Sequence, residues 1–377
     1  MKQEKTTIEE YLFLLVYGVW FLLGNLYITF WTRSLPVREL FGLMKWVPMI
    51  LFCVSVIMSY KQDVRKTILM FTLILLWYVC SYNAKMSIVM QFLLLALCAT
   101  NINHKKILKL YLIIALGVMV ITCICSKIGI VYNRITGERQ ALGYKYVSYP
   151  TIILLGCTLA YLALREFVKW YEMLVVIVIN MLMYSFTKTR VVLGVLAVTI
   201  VIYLINRAFR RYQVSHFFKL ILTICPFAFA GISYLAQWAY DGSNIIWIRL
   251  NEILSNRLIL GNTALANYDH KLFGQKVEWV TLSGVTAKKP YFFVDNFYLH
   301  YGLSFGIVFL LVIMTMFSLL VFRLISDGEI TLALGIIGIL IMGIIDPEVL
   351  DLRFHPFVLF LGYIFKDKEE IKYEKEV

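Results

Sequence analysis

Long apolar runs separated by short polar stretches make up most of this chain. A membrane-crossing helix needs about 20 mostly apolar residues, and on that criterion the pattern predicts twelve spans. They run at about Tyr11–Trp31, Phe41–Tyr60, Thr67–Tyr82, Met86–Thr100, Ile107–Lys127, Tyr149–Leu164, Trp170–Phe186, Val191–Asn206, Phe217–Ala239, Phe297–Phe322, Thr331–Ile345 and Phe354–Phe365. The third, fourth and last are short, and the seventh and eighth nearly continuous. The expected fold is all-α, one polytopic membrane domain over residues 1–377. Two loops are long, 127–148 and 240–296. In the second, Ile245 to about Ala266 has helical periodicity, with Ile246, Leu250, Ile253 and Leu254 set against a face carrying Arg249, Glu252 and Asn256. This reads as one amphipathic helix at the membrane interface, polar face toward a cavity, with Arg257 roughly 80° around the wheel from Arg249. The alternating segment from Lys276 to Phe293 contains turn residues and predicts an irregular excursion or a short hairpin.

Composition agrees with the pattern. Hydrophobic residues make up 61% of the 377 and charged residues 16%, against about 45–50% and about 25% in soluble domains. A cleavable signal peptide is not expected, because the first apolar run lacks a small-residue cleavage site and is long enough to span. All seven cysteines fall in apolar segments without a CxxC pair, so neither a disulfide framework nor a zinc site is expected. The net charge of +13 would point to nucleic acid in a soluble protein. Here topology and anionic lipid account for it, and no nucleic-acid partner is expected.

Lysine and arginine set the orientation. With the N-terminus inside, the cytoplasmic side receives "KQDVRK", "HKKILK", "REFVK", "RAFRR" and the tail from Lys366, and holds 19 of the 36 basic residues against 17 outside. Ten of the 17 lie in the two long loops, which obey the rule weakly. The remaining comparison, 19 against 7, puts both termini in the cytoplasm and both long loops outside; the opposite orientation is the alternative.

Four places could carry chemistry. In the first outer loop, Arg134 and Arg139 are placed to bind phosphate oxygens bidentately, with generic headgroup contact as the competing reading. Lys188 and Arg190 lie between two spans with almost no loop; they either face a wet cavity or snorkel to headgroups. In the main loop, Arg249 can pair with Glu252 one turn on, whereas Arg257 has no carboxylate at helical spacing and is the better ligand candidate. Asp295 and Asn296 precede a helix start, where Asp is a common N-cap, yet a carboxylate beside arginines is also where a general base could sit. His300 lies one turn on. Asp346, Glu348, Asp351, Arg353 and His355 crowd the last outer loop, where a helix stop at Pro347 with a local salt bridge outweighs a metal site. No cofactor or metal is expected. The sequence has no GxGxxG, P-loop or HExxH, and its GxSxG run at Gly302–Gly306 lies within an apolar span and not at the strand-to-helix turn of a nucleophile elbow, which disfavours ATP-driven transport and soluble-type hydrolysis.

The segments "RITGERQALGYKYVSYP", "SFTKTRVVLGVL", "LNEILSNRLILGNTAL", "LFGQK" and "VDNFYLHYGLSFGIV", in this order among about twelve spans, resemble the Wzy-type bacterial polysaccharide polymerases of O-antigen, capsule and exopolysaccharide clusters. The resemblance implies a plasma-membrane enzyme, similar in fold to the GT-C-like membrane glycosyltransferases that use lipid-linked sugars, with its site facing outward. It implies that undecaprenyl-diphosphate-linked oligosaccharides serve as donor and acceptor, with a flippase and a chain-length regulator as candidate partners. On that reading Asp295 and Arg257 are catalytic, and Arg134, Arg139, Arg190, Arg249, Asn296 and His300 bind the substrate and its diphosphate. An O-antigen ligase is the enzyme alternative, although such ligases usually carry His where this chain has Asp295. A flippase of lipid-linked oligosaccharides is the alternative from another class.

Overall fold

The computed structural model describes residues 8–58, 64–165, 167–209, 216–281, 286 and 290–366. Parts of the basic clusters at 61–66 and 207–211, the tip of the 276–293 excursion and the tail beyond Lys366 lie outside these residues. The helices are α1 (Ile8–Tyr27), α2 (Val37–Leu43), α3 (Val47–Met58), α4 (Val64–Ala84), α5 (Ile88–Cys98), α6 (His104–Lys127), α7 (Tyr149–Leu164), α8 (Trp170–Thr187), α9 (Arg190–Phe209) and α10 (His216–Trp238). They continue as α11 (Ile245–Ile253), α12 (Arg257–Asn267), α13 (Phe297–Ser304), α14 (Ile307–Ser326) and α15 (Ile330–Met342), followed by a 3₁₀ segment, Phe357–Phe365. Among the described residues, eight helices are long and apolar enough to cross a membrane, one of them the run Val37–Val56 through α2 and α3, and α5, α7 and α15 are shorter apolar helices.

The short helices form the centre. In α7, 13 of 16 residues are buried, and in α15, 10 of 13. These two pack on each other, and α5 packs on the 3₁₀ segment. The long helices surround them and turn apolar side chains outward: α8 buries only 4 of its 18 residues, and Leu174, Val178 and Leu182 are exposed. A helix apolar on all sides can be buried wholly in protein or can face lipid on one side. The chain uses both arrangements.

Contacts between loops fall into two groups at opposite ends of the bundle. At one end Lys145 N donates to Ile28 O at 3.0 Å, Asn83 Nδ2 to Phe273 O at 2.9 Å and Arg257 Nε to Ile345 O at 2.8 Å. At the other, Lys106 pairs with Glu10 at 2.6 Å, His104 with Glu329 at 3.5 Å, and Arg207 Nη1 donates to Val168 O at 2.8 Å. Each contact joins loops that the predicted alternation of spans puts on one side.

Two expected helices are broken and a third element differs in kind. The expected helix from Ile245 to Ala266 is two, α11 and α12, separated where Ser255 (φ 57°) and Asn256 (φ 65°) adopt left-handed backbone. Asn251 causes the break locally: its Oδ1 accepts from Leu258 N and Ile259 N, both at 3.1 Å, and so starts a second helix. The wheel angle between Arg249 and Arg257 therefore does not apply. The span expected over Phe297–Phe322 is also two helices, and the last span is the 3₁₀ segment. The second break lies at Gly306 (φ 95°), where the main loop crosses it with Gly274 (φ 84°). Gln275 N donates to Ser304 O at 2.8 Å, and Val308 N to Leu272 O at 3.1 Å. A Cβ on Gly306 would overlap the backbone of Leu272 and Gly274. Gly306→Ala combines that overlap with a positive φ and is expected to destabilise by more than about 1 kcal/mol, read as a lowered midpoint of thermal unfolding in detergent.

The 276–293 excursion is a hairpin at its base. Val280 N donates to Phe292 O at 2.7 Å and Phe292 N to Val280 O at 3.0 Å.

Candidate functional site

The break between α11 and α12 puts Arg257 at the first position of α12, turned toward the bundle. Two of its N–H groups are committed to backbone: Nε to Ile345 O at 2.8 Å and Nη1 to Leu254 O at 3.0 Å. Nη2 lies 3.7 Å from Asp295 Oδ2, and the two side chains retain 20% and 31% of their exposure. Of the five N–H donors of a guanidinium, the remainder are available to a ligand. Burial pushes the Asp295 carboxyl above its ordinary range, and the Arg257 charge works against that shift. Asp295 is not the cap of α13. Asn296 is: its Oδ1 accepts from Leu299 N at 2.9 Å and its Nδ2 donates to Ile344 O at 2.7 Å. Capping by the neighbour leaves the Asp295 carboxylate unspent on backbone.

The first long loop delivers a third group. Ile135–Thr136 (β1) and Arg139–Gln140 (β2) pair antiparallel through a turn at Gly137–Glu138. The half-buried Arg139 donates from Nε to Thr187 O at 3.0 Å, tying the hairpin to the C-terminus of α8. Burial lowers the Arg139 pKa, and the like charge of Arg257 adds to the effect, so the two guanidiniums share one electrostatic neighbourhood. Arg134 turns elsewhere. Its Nη1 donates to Lys145 O at 3.2 Å and its guanidinium lies 5.8 Å from the Tyr146 ring centroid.

The fourth contributor is the segment between α15 and the 3₁₀ segment, which reads in the sequence as an ordinary polar loop. It is buried: Asp346 is 9% exposed, Asp351 3%, and Val349, Leu350 and Leu352 are fully enclosed. Irregular backbone among apolar helices is tolerated where protein or a wet cavity surrounds it. Asp346 Oδ1 accepts from Glu348 N at 3.0 Å, and Asp351 forms a two-oxygen ion pair with Arg353. That pair is the local salt bridge expected after Pro347. Burial, then the charge of Asp295, pushes the Asp346 carboxyl up to about 7. Tyr291 completes the group; its hydroxyl is pushed up by burial and by Asp295. Asp346 and Tyr291 were not among the expected site residues. The available signal was Val349, Leu350 and Leu352 interleaved with the charges, a pattern that buries a loop.

Among the described residues, the side chains of the other expected site residues make no hydrogen bond or ion pair with Arg139, Arg257 or Asp295. Arg190 opens α9 and Arg249 lies on α11; both are exposed, and among the described residues neither makes an ion pair, including the one expected between Arg249 and Glu252. Their positions suit headgroup contact. His300 is 3% exposed and stacks on Trp279 with centroids 4.8 Å apart, while Trp279 Nε1 donates to Ser304 Oγ at 3.1 Å. His300 and Asn296 thus anchor the hairpin and α13; both polar ends of Asn296 are occupied by backbone.

The assembled groups are two guanidiniums, a carboxylate of raised basicity, a second buried carboxylate and a phenol. Such a set can hold a multiply charged anion and accept a proton beside it. Set against models of known protein families and against curated proteins, the sequence matches none of either.

Proposed function

We propose that this protein joins oligosaccharide repeats carried on undecaprenyl diphosphate, at the outer face of a bacterial plasma membrane. The observation that carries the reading is the meeting of Arg257 with Asp295 at 3.7 Å, beside Arg139 from a distant loop. Glycosyl transfer from a diphosphate needs these two functions side by side. As the anomeric carbon–oxygen bond breaks, the electron pair and developing charge go to the leaving diphosphate, which Arg139 and Arg257 stabilise. The acceptor hydroxyl attacks the anomeric carbon and gives its proton to Asp295. Direct displacement of this kind inverts the anomeric configuration. Among the described residues, eight long helices and three short apolar ones, with the 3₁₀ segment taken as a twelfth crossing, support a reading in which both termini lie on one side. The lysine and arginine distribution makes that side the cytoplasm.

Purified protein in proteoliposomes, supplied with one lipid-diphosphate-linked repeat, is expected to yield a ladder of products spaced by one repeat, with release of polyprenyl diphosphate. Translocation of the substrate without new glycosidic bonds would identify a flippase. Transfer of glycan to a non-lipid acceptor without a ladder would identify a ligase.

A further inference from the structure

A second group of cations lies at the same end of the bundle, on residues outside the Arg139–Arg257–Asp295 group. Lys145, just after the hairpin, donates from Nζ to Tyr27 O at 2.5 Å, and the same Nζ lies 4.2 Å from the Tyr27 ring centroid. The Arg353 guanidinium lies 5.9 Å from the centroid of that ring. Arg353 is fixed from behind: Asn25 Nδ2 donates to its carbonyl at 3.1 Å, and Gly24 leaves room for its Cγ. Arg38, in α2, is exposed and close enough for its charge to act on Lys145 together with that of Arg353. Lys145 and Arg353, remote in sequence, therefore converge on Tyr27, and α2, which carries Arg38, packs there through Phe41, whose ring centroid lies 5.2 Å from that of Tyr27.

The charges there do not balance. Asp351 pairs with Arg353, and the charge of Glu348 acts on Arg353 as well, but among the described residues neither Lys145 nor Arg38 has an ion pair. Like charges withdrawn from water lose hydration and repel one another; burial, then Arg38 and Arg353, push Lys145 down to about 8. An anion between them relieves both costs. The group also grades in exposure, from Arg38 at the surface through half-buried Lys145 to Arg353 at 17%. Access is therefore from the surface, the route of a headgroup. Tyrosines lie beside both groups: Tyr149 is near enough to Arg353 for their charges to interact, Tyr146 and Tyr149 have ring centroids 5.0 Å apart, and the hydroxyl of Tyr291 feels the charges of Asp295 and Arg257.

We propose that Arg38, Lys145 and Arg353 around Tyr27 form a second phosphate-binding site, which takes the diphosphate of the second lipid-linked substrate. The proposal rests on the polymerase reading, because joining two repeats requires two lipid diphosphates held side by side with their sugars between. The first diphosphate lies at Arg139 and Arg257, the second at Lys145, and the tyrosine faces beside them line the path where the two glycans meet.

Binding can be tested without turnover by titrating inorganic diphosphate calorimetrically into the full-length protein in phosphatidylcholine nanodiscs. In Arg257→Gln protein, which weakens the first site, diphosphate still binds; adding Lys145→Met lowers the affinity at least about tenfold, and Lys145→Arg restores it. Arg38→Gln, on an exposed side chain that carries no packing, lowers affinity in the same direction and guards against misfolding of the Lys145 variant. Unchanged affinity in the variant carrying both Lys145→Met and Arg38→Gln overturns the site. Diphosphate binding that persists in discs containing phosphatidylglycerol supports a substrate site, whereas its abolition there means that bulk headgroups occupy it and overturns the diphosphate assignment. In cells, Lys145→Met is expected to shorten the polymer. Normal polymer despite lost diphosphate binding would remove this site from the reaction and leave the Arg257–Asp295 reading intact. An intact ladder from Asp295→Asn would sink that reading without touching the binding result.

Discussion

Asp295→Asn is expected to reduce polymer formation by about 10²–10⁴-fold, the usual contribution of a positioned general base, at unchanged protein level. The substitution is isosteric. It leaves the Asn296 cap of α13 and both backbone bonds of Arg257 in place, so the melting midpoint should not fall. The pH profile separates a base from a structural carboxylate. A base works only when ionised, so the wild-type rate falls as pH drops through the pKa of Asp295. Burial raises that pKa above the ordinary value of 3.8, and the acid limb should be displaced upward accordingly. The residual rate of Asp295→Asn should lack this limb. Full-length polymer in cells carrying the variant, or an acid limb that survives it, would refute the assignment.

The second large effect is expected at Arg257. Arg257→Ala should lower the rate of repeat joining by about 10²–10³-fold, the scale on which loss of one donor to a developing charge is felt. Arg257→Lys should recover little of it. A lysine keeps the charge but cannot hold Ile345 O and Leu254 O while presenting a further N–H to a ligand, as the planar guanidinium does. Single-turnover rates with lipid-linked repeats distinguish the outcomes: near wild-type activity in Arg257→Lys would mean that charge alone suffices and that the loop contact is incidental. Arg257 also tethers the buried 343–356 segment, so the Ala variant should lose stability as well as rate. The Lys variant serves to separate the two.

The apolar runs were legible because burial in lipid or protein imposes the same requirement along each helix. The positions of α1, α6, α8, α9 and α10 follow from it within a few residues. The breaks at Asn256 and Gly306 were not legible from periodicity. The first depends on a single side chain, Asn251, reaching the start of the next helix, and the second on backbone meeting backbone across 32 residues at Gly274. The candidate site was legible in part. Arg257 and Asp295 lie 3.7 Å apart, and Arg257 is near enough for its charge to act on Arg139. Arg190 and Arg249 have the same chemistry but are exposed, and among the described residues neither makes an ion pair. The loop of Asp346 is short, charged and carries a proline, all marks of an exposed turn. Against these stand only the interleaved Val349, Leu350 and Leu352, and its burial is completed by distant contacts, among them Asn296 to Ile344 O and Asn25 to Arg353 O.

The shortness of α15 has a consequence for how a lipid would approach. Its 13 residues rise about 20 Å, whereas the hydrocarbon layer is about 30 Å thick. A helix starting beside His104 and Glu329 at one end of the bundle runs out well before the level of the far headgroups. With α15 starting level with the near headgroups, the segment carrying Asp346 and the carbonyl that holds Arg257 would lie at the bottom of a dimple, below the plane in which phosphates normally rest. In the proposed reaction a carrier lipid would bring its diphosphate to the arginines by sinking, with its chain pressed deeper into the bilayer while its sugars stay in water above. Such a dimple would sort lipids by the size of what they carry: a phosphate chain on a slender isoprenoid can descend, while a two-tailed phospholipid is held back at the rim.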